Sequence, residues 1–244
     1  MHTIEFVVPE WPAPANVRAA VTTRQGGVST GRFDSLNLAA HVGDDAESVA
    51  ENRRRLRAAL ALPGEPAWLS QVHGPEVAVL PGALPAGADA AVTFARGVVC
   101  AVLVADCLPV FLAGSDGDRV GIAHAGWRGL AAGVVEATVA ALATEPARLV
   151  AWLGPCIGPR AFEVGPEVRA AFVAGDAAAA ADFRPGRAGR FMADLPALAR
   201  RRLAAAGVAG VHGSGLCTHA DPARFYSYRR DGATGRMAAL IWLQ

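Results

Sequence analysis

A cysteine and two histidines are the side chains of this sequence best suited to chemistry. Cys107 lies in the segment Ala-Asp-Cys-Leu-Pro, and His124 follows it 17 residues later in the segment His-Ala-Gly-Trp-Arg-Gly. His73 lies 34 residues before Cys107, in Gln-Val-His-Gly. A thiolate and imidazoles act as nucleophiles and bases, and they also bind metal ions.

Three interpretations of this set remain open at this point. A buried cysteine is often a small hydrophobic residue without a chemical role. A Cys107–His124 pair is also typical of a nucleophile and its base. Alternatively, Cys107, His124 and His73 are three ligands of one metal ion, with a fourth position left for water or substrate. One thiolate with two imidazoles suits zinc or copper. The spacing alone does not decide among these, because no short metal-binding pattern spans the three residues.

The elements around Cys107 and His124 explain why both positions are suitable for chemistry. An apolar strand begins at residue 98 and runs out into Ala105–Pro109, and a polar turn at 115–118 joins it to a second strand that runs out into Ala123–Gly129. Both side chains therefore lie where a strand meets irregular backbone. Catalytic residues are often found in such loops on a rigid scaffold.

The rest of the chain predicts an α+β fold with a mixed sheet. Helices are expected at 46–61, with Asp45 as the N-cap, and at 128–143, 166–174 and 194–206. Residues 177–190 are expected to form a loop, and 237–243 a final strand. Predicted strands outnumber helices and several are joined by hairpins, which favours a mixed sheet over a purely parallel one. No internal repeat or linker divides the sequence, so one domain over residues 1–244 is predicted.

Composition narrows the class of protein. The chain has 244 residues, is 52% hydrophobic and carries a net charge of +1. The near-neutral net charge argues against nucleic acid as a partner, because binding to phosphates needs a clustered basic face. No window of ~18 uninterrupted apolar residues and no signal-peptide pattern are present, so no membrane association is expected. Four cysteines are too few for a secreted disulfide scaffold. A reduced, cytoplasmic protein is predicted.

A second group of polar residues lies near the N-terminus. Arg24 follows a predicted strand and precedes Gly26 and Gly27, so a guanidinium and two flexible backbone amides are available to an anion. An ordinary turn explains the same residues without a ligand. Asn37 and His41 lie in a polar stretch that contains too many hydrogen-bonding groups for a simple spacer.

Several classes of enzyme are not supported by the sequence. The P-loop pattern and the full Rossmann glycine pattern are missing, as are the H-E-x-x-H, G-x-S-x-G and nucleobase-deaminase patterns. A multi-copper cluster needs many imidazoles, but the chain has six histidines and none of them form an H-x-H pair. A laccase mechanism with several copper ions therefore lacks ligands.

Seven motifs in order resemble one known family. They are TTRQGGVS (22–29), SLNL with HVGD (35–44), QVHG (71–74), ADCLP (105–109), HAGWRG (124–129), GPCIGP (154–159) and CT with FYSYRR (217–230). This combination is similar to the YfiH family, also called laccase-domain proteins or peptidoglycan editing factors. The resemblance covers nearly the whole chain.

The resemblance implies an activity, a cofactor and a fold. Members of this family are described as zinc-dependent purine nucleoside phosphorylases that act on adenosine, inosine and S-methyl-5′-thioadenosine with phosphate. They are also described as having adenosine deaminase activity. Their His, Cys and His metal ligands correspond to His73, Cys107 and His124, and copper is a second candidate metal. The implied fold is a mixed β-sandwich flanked by helices (CNF/YfiH-like). A monomer or a small homo-oligomer is expected.

Residue roles follow as hypotheses from the resemblance. Cys107, His124 and His73 are expected to be catalytic through the metal, and Asp106 is a candidate acid or base, with Asp89 as an alternative. The candidate phosphate and substrate residues are Arg24, Asn37, His41 and Arg128. Two other activities stay open: a cysteine hydrolase that acts on peptidoglycan precursors through Cys107 and His124, and a copper-dependent polyphenol oxidase.

Overall fold

Two stacked β-sheets form the centre of the computed structural model, which describes residues 4–244, and helices cover both outer faces. The strands are β1 (Phe6–Val7), β2 (Val17–Thr22), β3 (Ala67–Trp68), β4 (Val77–Leu80), β5 (Ala90–Thr93), β6 (Val99–Val104), β7 (Leu108–Gly114), β8 (Val120–Ala125), β9 (Leu149–Leu153), β10 (Glu163–Val164), β11 (Phe183–Pro185), β12 (Phe191–Ala193), β13 (Gly210–Gly213) and β14 (Met237–Leu243). The α-helices are α1 (Ala46–Leu60), α2 (Trp127–Ala131), α3 (Val134–Ala141), α4 (Pro166–Val173), α5 (Leu195–Ala205) and α6 (Tyr228–Asp231).

The first sheet has the strand order β1-β2-β14-β6-β3, and the second has the order β13-β9-β7-β8-β5-β4. Both mix parallel and antiparallel pairs: β6 is antiparallel to β14 but parallel to β3. A small third sheet, β10-β12-β11, lies beside the helices. The mixed sandwich flanked by helices that the sequence predicts is confirmed.

The central strands β6, β7, β8 and β14 are buried at every position because both faces of each sheet are covered. Every second residue of β6 from Cys100 to Val104 belongs to the core between the sheets, and the intervening residues pack with Leu56 of α1. In β7, Phe111 faces the same inter-sheet core, whereas Val110 packs with the helices beyond the second sheet. This alternation follows from the two-residue period of a strand.

The sequence predicts two strands between residues 98 and 129, but the structure has three, β6, β7 and β8. The chain leaves β6 at Val104, crosses from the first sheet to the second through Ala105, Asp106 and Cys107, and enters β7 at Leu108. Asp106 makes the crossover with a φ of 88°, a left-handed conformation that is uncommon for a non-glycine residue. Cys107 is therefore placed between the two sheets.

Two further predictions need correction. The helix predicted over 128–143 is divided into α2 and α3, because Gly133 adopts a φ of 95° that an α-helix cannot accommodate. The predicted loop 177–190 contains a 3₁₀-helix at Ala177–Asp182 and strand β11. The helix predicted at 46–61 is present as α1, and the Asp45 side chain accepts a hydrogen bond from the Ser48 amide as its N-cap.

Helices capable of spanning a bilayer are not found between residues 4 and 244, since none combines enough length with enough apolar character.

Candidate metal centre

His73, Cys107 and His124 meet at one end of the second sheet. In the β7–β8 pairing, Leu108 lies opposite Ala125, so Cys107 and Gly126 follow as neighbours just beyond the paired region. His124 is the second-last residue of β8. His73 comes from the loop that precedes β4, where it adopts a left-handed φ of 61°. Three segments that are distant in sequence thus supply the three side chains.

The ligand atoms of this triad lie within 4.8 Å of one another. The Cys107 Sγ is 4.0 Å from Nε2 of His73, and the two imidazole rings meet edge to face with centroids 4.8 Å apart. Zinc binds nitrogen at ~2.1 Å and sulfur at ~2.3 Å. An inward movement of about an ångström by these side chains is enough to bring all three onto one ion of that size.

Gly126 makes the close approach of these ligands possible. A Cβ atom at this position would lie 2.9 Å from the Cys107 Sγ and 3.1 Å from the His73 Cδ2. Any other residue would thus occupy the space that the sulfur and the imidazole need. The glycine, the soft donor set and the distances together fit a zinc or copper ion.

Asp89 positions two of the three ligands. Its Oδ1 accepts hydrogen bonds from His124 Nδ1 at 2.8 Å and from the His73 amide at 2.9 Å, and its Oδ2 accepts from the amides of Val72 and Gly74, both at 2.9 Å. The carboxylate is fully buried. Because Nδ1 of His124 is engaged with Asp89, Nε2 is left for a metal, which is the usual arrangement of a histidine ligand with its supporting carboxylate.

The triad also forms an ion pair in the metal-free protein. Burial disfavours the thiolate, but the charge of His124 and hydrogen bonds from His124 and His73 outweigh it and lower the pKa of Cys107 to about 6. Burial likewise opposes the imidazolium, but the Cys107 charge and Asp89 raise the pKa of His124 to about 9. The sulfur is thus a thiolate near neutral pH, which is the form that binds metals.

A cavity of about 460 Å³ opens beside the triad. Its charged and polar lining includes His41, Arg128, Arg229 and Arg236. Its apolar lining includes Leu103, Trp127, Ile157, Phe162, Leu195 and Tyr228. Cationic groups and flat apolar walls therefore face the same space as the metal ligands, a combination that suits a ligand with an anionic part and an aromatic part.

Asp106, the residue before Cys107, has both carboxylate oxygens engaged in hydrogen bonds. Its Oδ1 accepts from the Thr218 hydroxyl at 2.6 Å, and its Oδ2 accepts from the Ser227 hydroxyl at 2.9 Å and the Arg229 amide at 2.7 Å. The amide of Ile157 donates to its backbone carbonyl. Asp106 therefore joins the segments around Ile157, Thr218 and Arg229 to the strand crossover.

Two of the predicted substrate residues line this cavity and two lie elsewhere. His41 and Arg128 are in the cavity. Arg24 lies in a separate surface groove, where its guanidinium donates to the carbonyls of Asp34 and Pro222 and stacks on Tyr226. Asn37 is buried, and its Oδ1 accepts from the backbone amide of Arg236.

Sequence reasoning missed Arg236 and Arg229. Arg229 falls within the FYSYRR motif, which is one of the seven family motifs and could have indicated that Arg229 lies near the site. Arg236 precedes β14 in a glycine-containing turn that resembles many surface turns. No motif in the neighbouring residues indicates that it belongs to a site. Its place in the cavity depends on the pairing of β14 with β6 across more than 130 residues of chain.

The other three cysteines lie outside the triad. Cys100 is buried in β6, and burial raises its pKa to about 12. Cys156 and Cys217 face each other across an isolated bridge and line a second cavity of about 610 Å³. Burial and nearby negative charges raise the pKa of Cys156 well above its ordinary value. Cys107 is thus distinguished from Cys100 and Cys156 by its lowered pKa.

A mixed sandwich with this His–Cys–His site defines the laccase-domain class of proteins. The chain belongs to that family: residues 18–244 match the family model described as multi-copper polyphenol oxidoreductase laccase.

Similar proteins extend over the whole chain. A purine nucleoside phosphorylase of Pseudomonas aeruginosa is 57% identical over 240 residues, which cover 98% of both chains. The purine nucleoside phosphorylase YfiH of Escherichia coli is 53% identical over 241 residues, which cover 98% of this chain and 99% of that one. Among crystal structures, a Neisseria meningitidis protein matches with a TM-score of 0.93, 49% identity and coverage of 98% and 99%. YlmD of Geobacillus stearothermophilus matches along the full length of both chains, with a TM-score of 0.91 and 33% identity.

Proposed function

We propose that this chain is a zinc-dependent purine nucleoside phosphorylase that cleaves adenosine, inosine and S-methyl-5′-thioadenosine with phosphate and also deaminates adenosine. The observation that carries the proposal is the shared cavity, in which three metal-ligand atoms lie beside cationic side chains and apolar walls. The names of the two relatives at 57% and 53% identity support the phosphorylase.

His73, Cys107 and His124 would hold the metal. Zinc bound there supplies a Lewis acid and lowers the pKa of a bound water to ~7. Asp89 fixes the ring of His124 and the backbone that carries His73, so these ligands are already oriented before a metal binds.

The cavity walls account for binding and orientation of a nucleoside. Ile157, Phe162 and Leu195 are buried apolar residues that would exclude water and accept a flat purine ring. Trp127 and the exposed Tyr228 offer two further ring faces. The aromatic part of the substrate is therefore assigned to this side of the cavity.

The cationic side of the cavity is assigned to phosphate. In phosphorolysis the bond between ribose C1′ and the purine nitrogen breaks, and a phosphate oxygen forms the new bond to C1′. Positively charged side chains would hold the phosphate in line with C1′, which lowers the entropic cost of the reaction. In this proposal Arg24 and Asn37 stabilise neighbouring loops, and Asp106 is a positioning residue.

The phosphorylase is tested with zinc-loaded protein and inosine, with and without phosphate. Phosphate-dependent release of hypoxanthine and ribose 1-phosphate is expected, and His73→Ala and Cys107→Ala should lose both zinc and activity. If none of the three nucleosides yields its sugar 1-phosphate, which is ribose 1-phosphate from adenosine and inosine and 5-methylthioribose 1-phosphate from S-methyl-5′-thioadenosine, the phosphorylase assignment is wrong. Ammonia release from adenosine without phosphate tests the deaminase separately.

A cysteine hydrolase is the second candidate, because the metal-free site has the arrangement of a catalytic triad. The Cys107 pKa of about 6, the His124 pKa of about 9 and the orienting Asp89 are typical of a nucleophile with its base. A metal-bound sulfur is a poor nucleophile, so stoichiometric zinc in the purified protein would count against this function. Hydrolysis of peptidoglycan precursor peptides by metal-free protein would support it.

A copper-dependent polyphenol oxidase is tested by the same preparations. Within residues 4–244, His73, Cys107 and His124 form the one group of three or more metal-binding side chains close enough to share an ion. A single copper site is therefore the form of the hypothesis to assay, with copper-loaded protein and a catechol. The cytoplasmic location and the monomeric or small homo-oligomeric state stay predictions.

A further inference from the structure

We propose that Arg236, with His41 beside it, forms an anion subsite in the metal cavity and that this subsite binds inorganic phosphate. The role of phosphate as a co-substrate rests on the phosphorylase proposed above. The binding itself is an equilibrium property of the cavity and can be measured without turnover.

Arg236 is a partly buried cation without an acidic partner. Its Nη1 donates to the carbonyls of Thr234 and Gly235 at 2.7 and 3.0 Å, while Nε and Nη2 make no hydrogen bond to the described residues. No Asp or Glu within residues 4–244 forms a salt bridge with it. Buried charges in proteins are normally paired, so a guanidinium with two uncommitted nitrogens in a cavity is suited to an external anion.

The backbone holds this guanidinium in place. The Arg236 amide donates to Asn37 Oδ1 at 3.0 Å, and the Arg236 carbonyl accepts from the Leu38 amide at 3.3 Å. Asn37 is fully buried and also bonds Ala39 and Asp44. The segment before β14 is thereby bonded to the loop that carries His41, and Arg236 and His41 both line the cavity.

The surroundings of His41 are positive. Burial and the charges of Arg236 and Arg53 lower the pKa of His41, which shows that these cations act on the same region. Arg53 itself donates to the Leu38 carbonyl and stacks on Trp68. It therefore adds positive charge near His41 and is not expected to contact the anion. A neutral His41 has an N–H to donate to an anion, and the positive charges of Arg236 and Arg53 would attract an anion to this place.

Arg236 is better placed for this role than the other two cavity arginines. Arg128 and Arg229 are exposed, and Arg229 already donates to the Glu163 carbonyl. Arg236 is partly buried and lies close enough to Cys107 for the charge on the sulfur to act on it. An anion on Arg236 would therefore lie beside the metal ligands, where a phosphate must be to reach a nucleoside in the same cavity.

Direct phosphate binding to zinc-loaded protein, by calorimetry or ³¹P NMR, tests the subsite. Arg236→Gln removes the charge, and Arg236→Lys keeps the charge but not the planar fork. Arg160→Gln is the matched control, because Arg160 is an exposed arginine of the second cavity. We expect Arg236→Gln to raise the phosphate Kd by about 10- to 100-fold, as for the loss of charge-assisted hydrogen bonds. Arg236→Lys should have an intermediate Kd, and Arg160→Gln should match the wild type.

The outcomes separate the subsite from the enzyme function. Wild-type protein that does not bind phosphate, or Arg236→Gln protein that keeps full zinc and the wild-type phosphate Kd, would overturn the subsite. If Arg236→Gln unfolds, the Arg236→Lys comparison decides: a wild-type Kd contradicts the proposal, and a weakened one supports it. If phosphate binding depends on Arg236 but none of the three nucleosides yields a sugar 1-phosphate, the subsite stands and the phosphorylase fails.

Discussion

His124 and Asp89 lie side by side at the ends of two antiparallel strands, and the imidazole Nδ1 donates to the carboxylate Oδ1 over 2.8 Å. The His124 amide also donates to the Asp89 carbonyl. The same carboxylate accepts from the amides of residues 72–74, which carry the third ligand. One buried acid thus sets the orientation of both imidazoles.

Asp89→Asn should weaken metal binding by about 10- to 100-fold, the usual effect of losing such a supporting contact. The amide NH₂ of asparagine donates where a carboxylate oxygen accepts, so either His124 or the loop amides lose their acceptor. Competition with a zinc-binding dye measures the zinc Kd. The control is Asp221→Asn, since Asp221 pairs with Arg224 and does not line the metal cavity. An unchanged Kd in Asp89→Asn would show that Asp89 does not support the ligands.

Gly126→Ala should reduce zinc affinity without loss of the fold. The new Cβ would lie 2.9 Å from the Cys107 Sγ, so the thiolate must move away from the shared position. Overpacking of this kind also costs about 1–3 kcal/mol of stability. Gly175→Ala is the matched control, because a Cβ there meets no atom within 4 Å and the backbone φ is ordinary. Zinc titration and thermal unfolding of both variants check the prediction, and equal zinc affinities would refute it.

Cys107 should react with iodoacetamide at an unusually low pH in metal-free protein. Its folded pKa of about 6 lies below the ordinary value, so the reactive thiolate is present from about pH 6 upward and is lost as the pH falls through that value. Alkylation of the unfolded protein should follow a pKa of ~8.5 instead. Mass spectrometry of Cys107 peptides across pH 4–10 gives both profiles. Added zinc should block the reaction, and a folded-state midpoint near that of the unfolded chain would contradict the ion pair.

Asp106→Asn should lower stability but leave the shape of the pH–rate profile unchanged. The carboxylate accepts three hydrogen bonds, from Thr218, Ser227 and Arg229, and disturbing such buried bonds costs about 1–3 kcal/mol. Urea unfolding measures this loss. If Asp106 instead transferred a proton, the pH–rate profile of the variant would lack one limb that the profile of the wild type has.

The sequence was most informative where short motifs contain the chemistry. The family resemblance selected His73, Cys107 and His124, and the structure brings their ligand atoms within 4.8 Å. Residue alternation and turn signals also predicted the mixed sheet. The change of sheet at Asp106 is not predicted, because apolar residues continue on both sides of it and hydrophobicity alone does not distinguish the two sheets.

Other parts of the site depend on contacts between distant segments. Arg236 enters the cavity through the pairing of β14 and through Asn37, which is 199 residues away in the chain. Arg24 stays a candidate for anion binding, although its Nε and Nη1 donate to the carbonyls of Asp34 and Pro222, which only the folded chain brings near. Local sequence patterns do not indicate which distant carbonyl groups will accept hydrogen bonds from a given side chain.

The most direct test is a crystal structure of zinc-loaded protein with anomalous data collected at the zinc edge. We expect one anomalous peak per chain, within bonding distance of the Cys107 sulfur and of one ring nitrogen each from His73 and His124, and no such peak in Cys107→Ala. A zinc-loaded crystal with no peak among these three atoms, or with a peak that persists in Cys107→Ala, would contradict the metal centre on which the proposed chemistry depends.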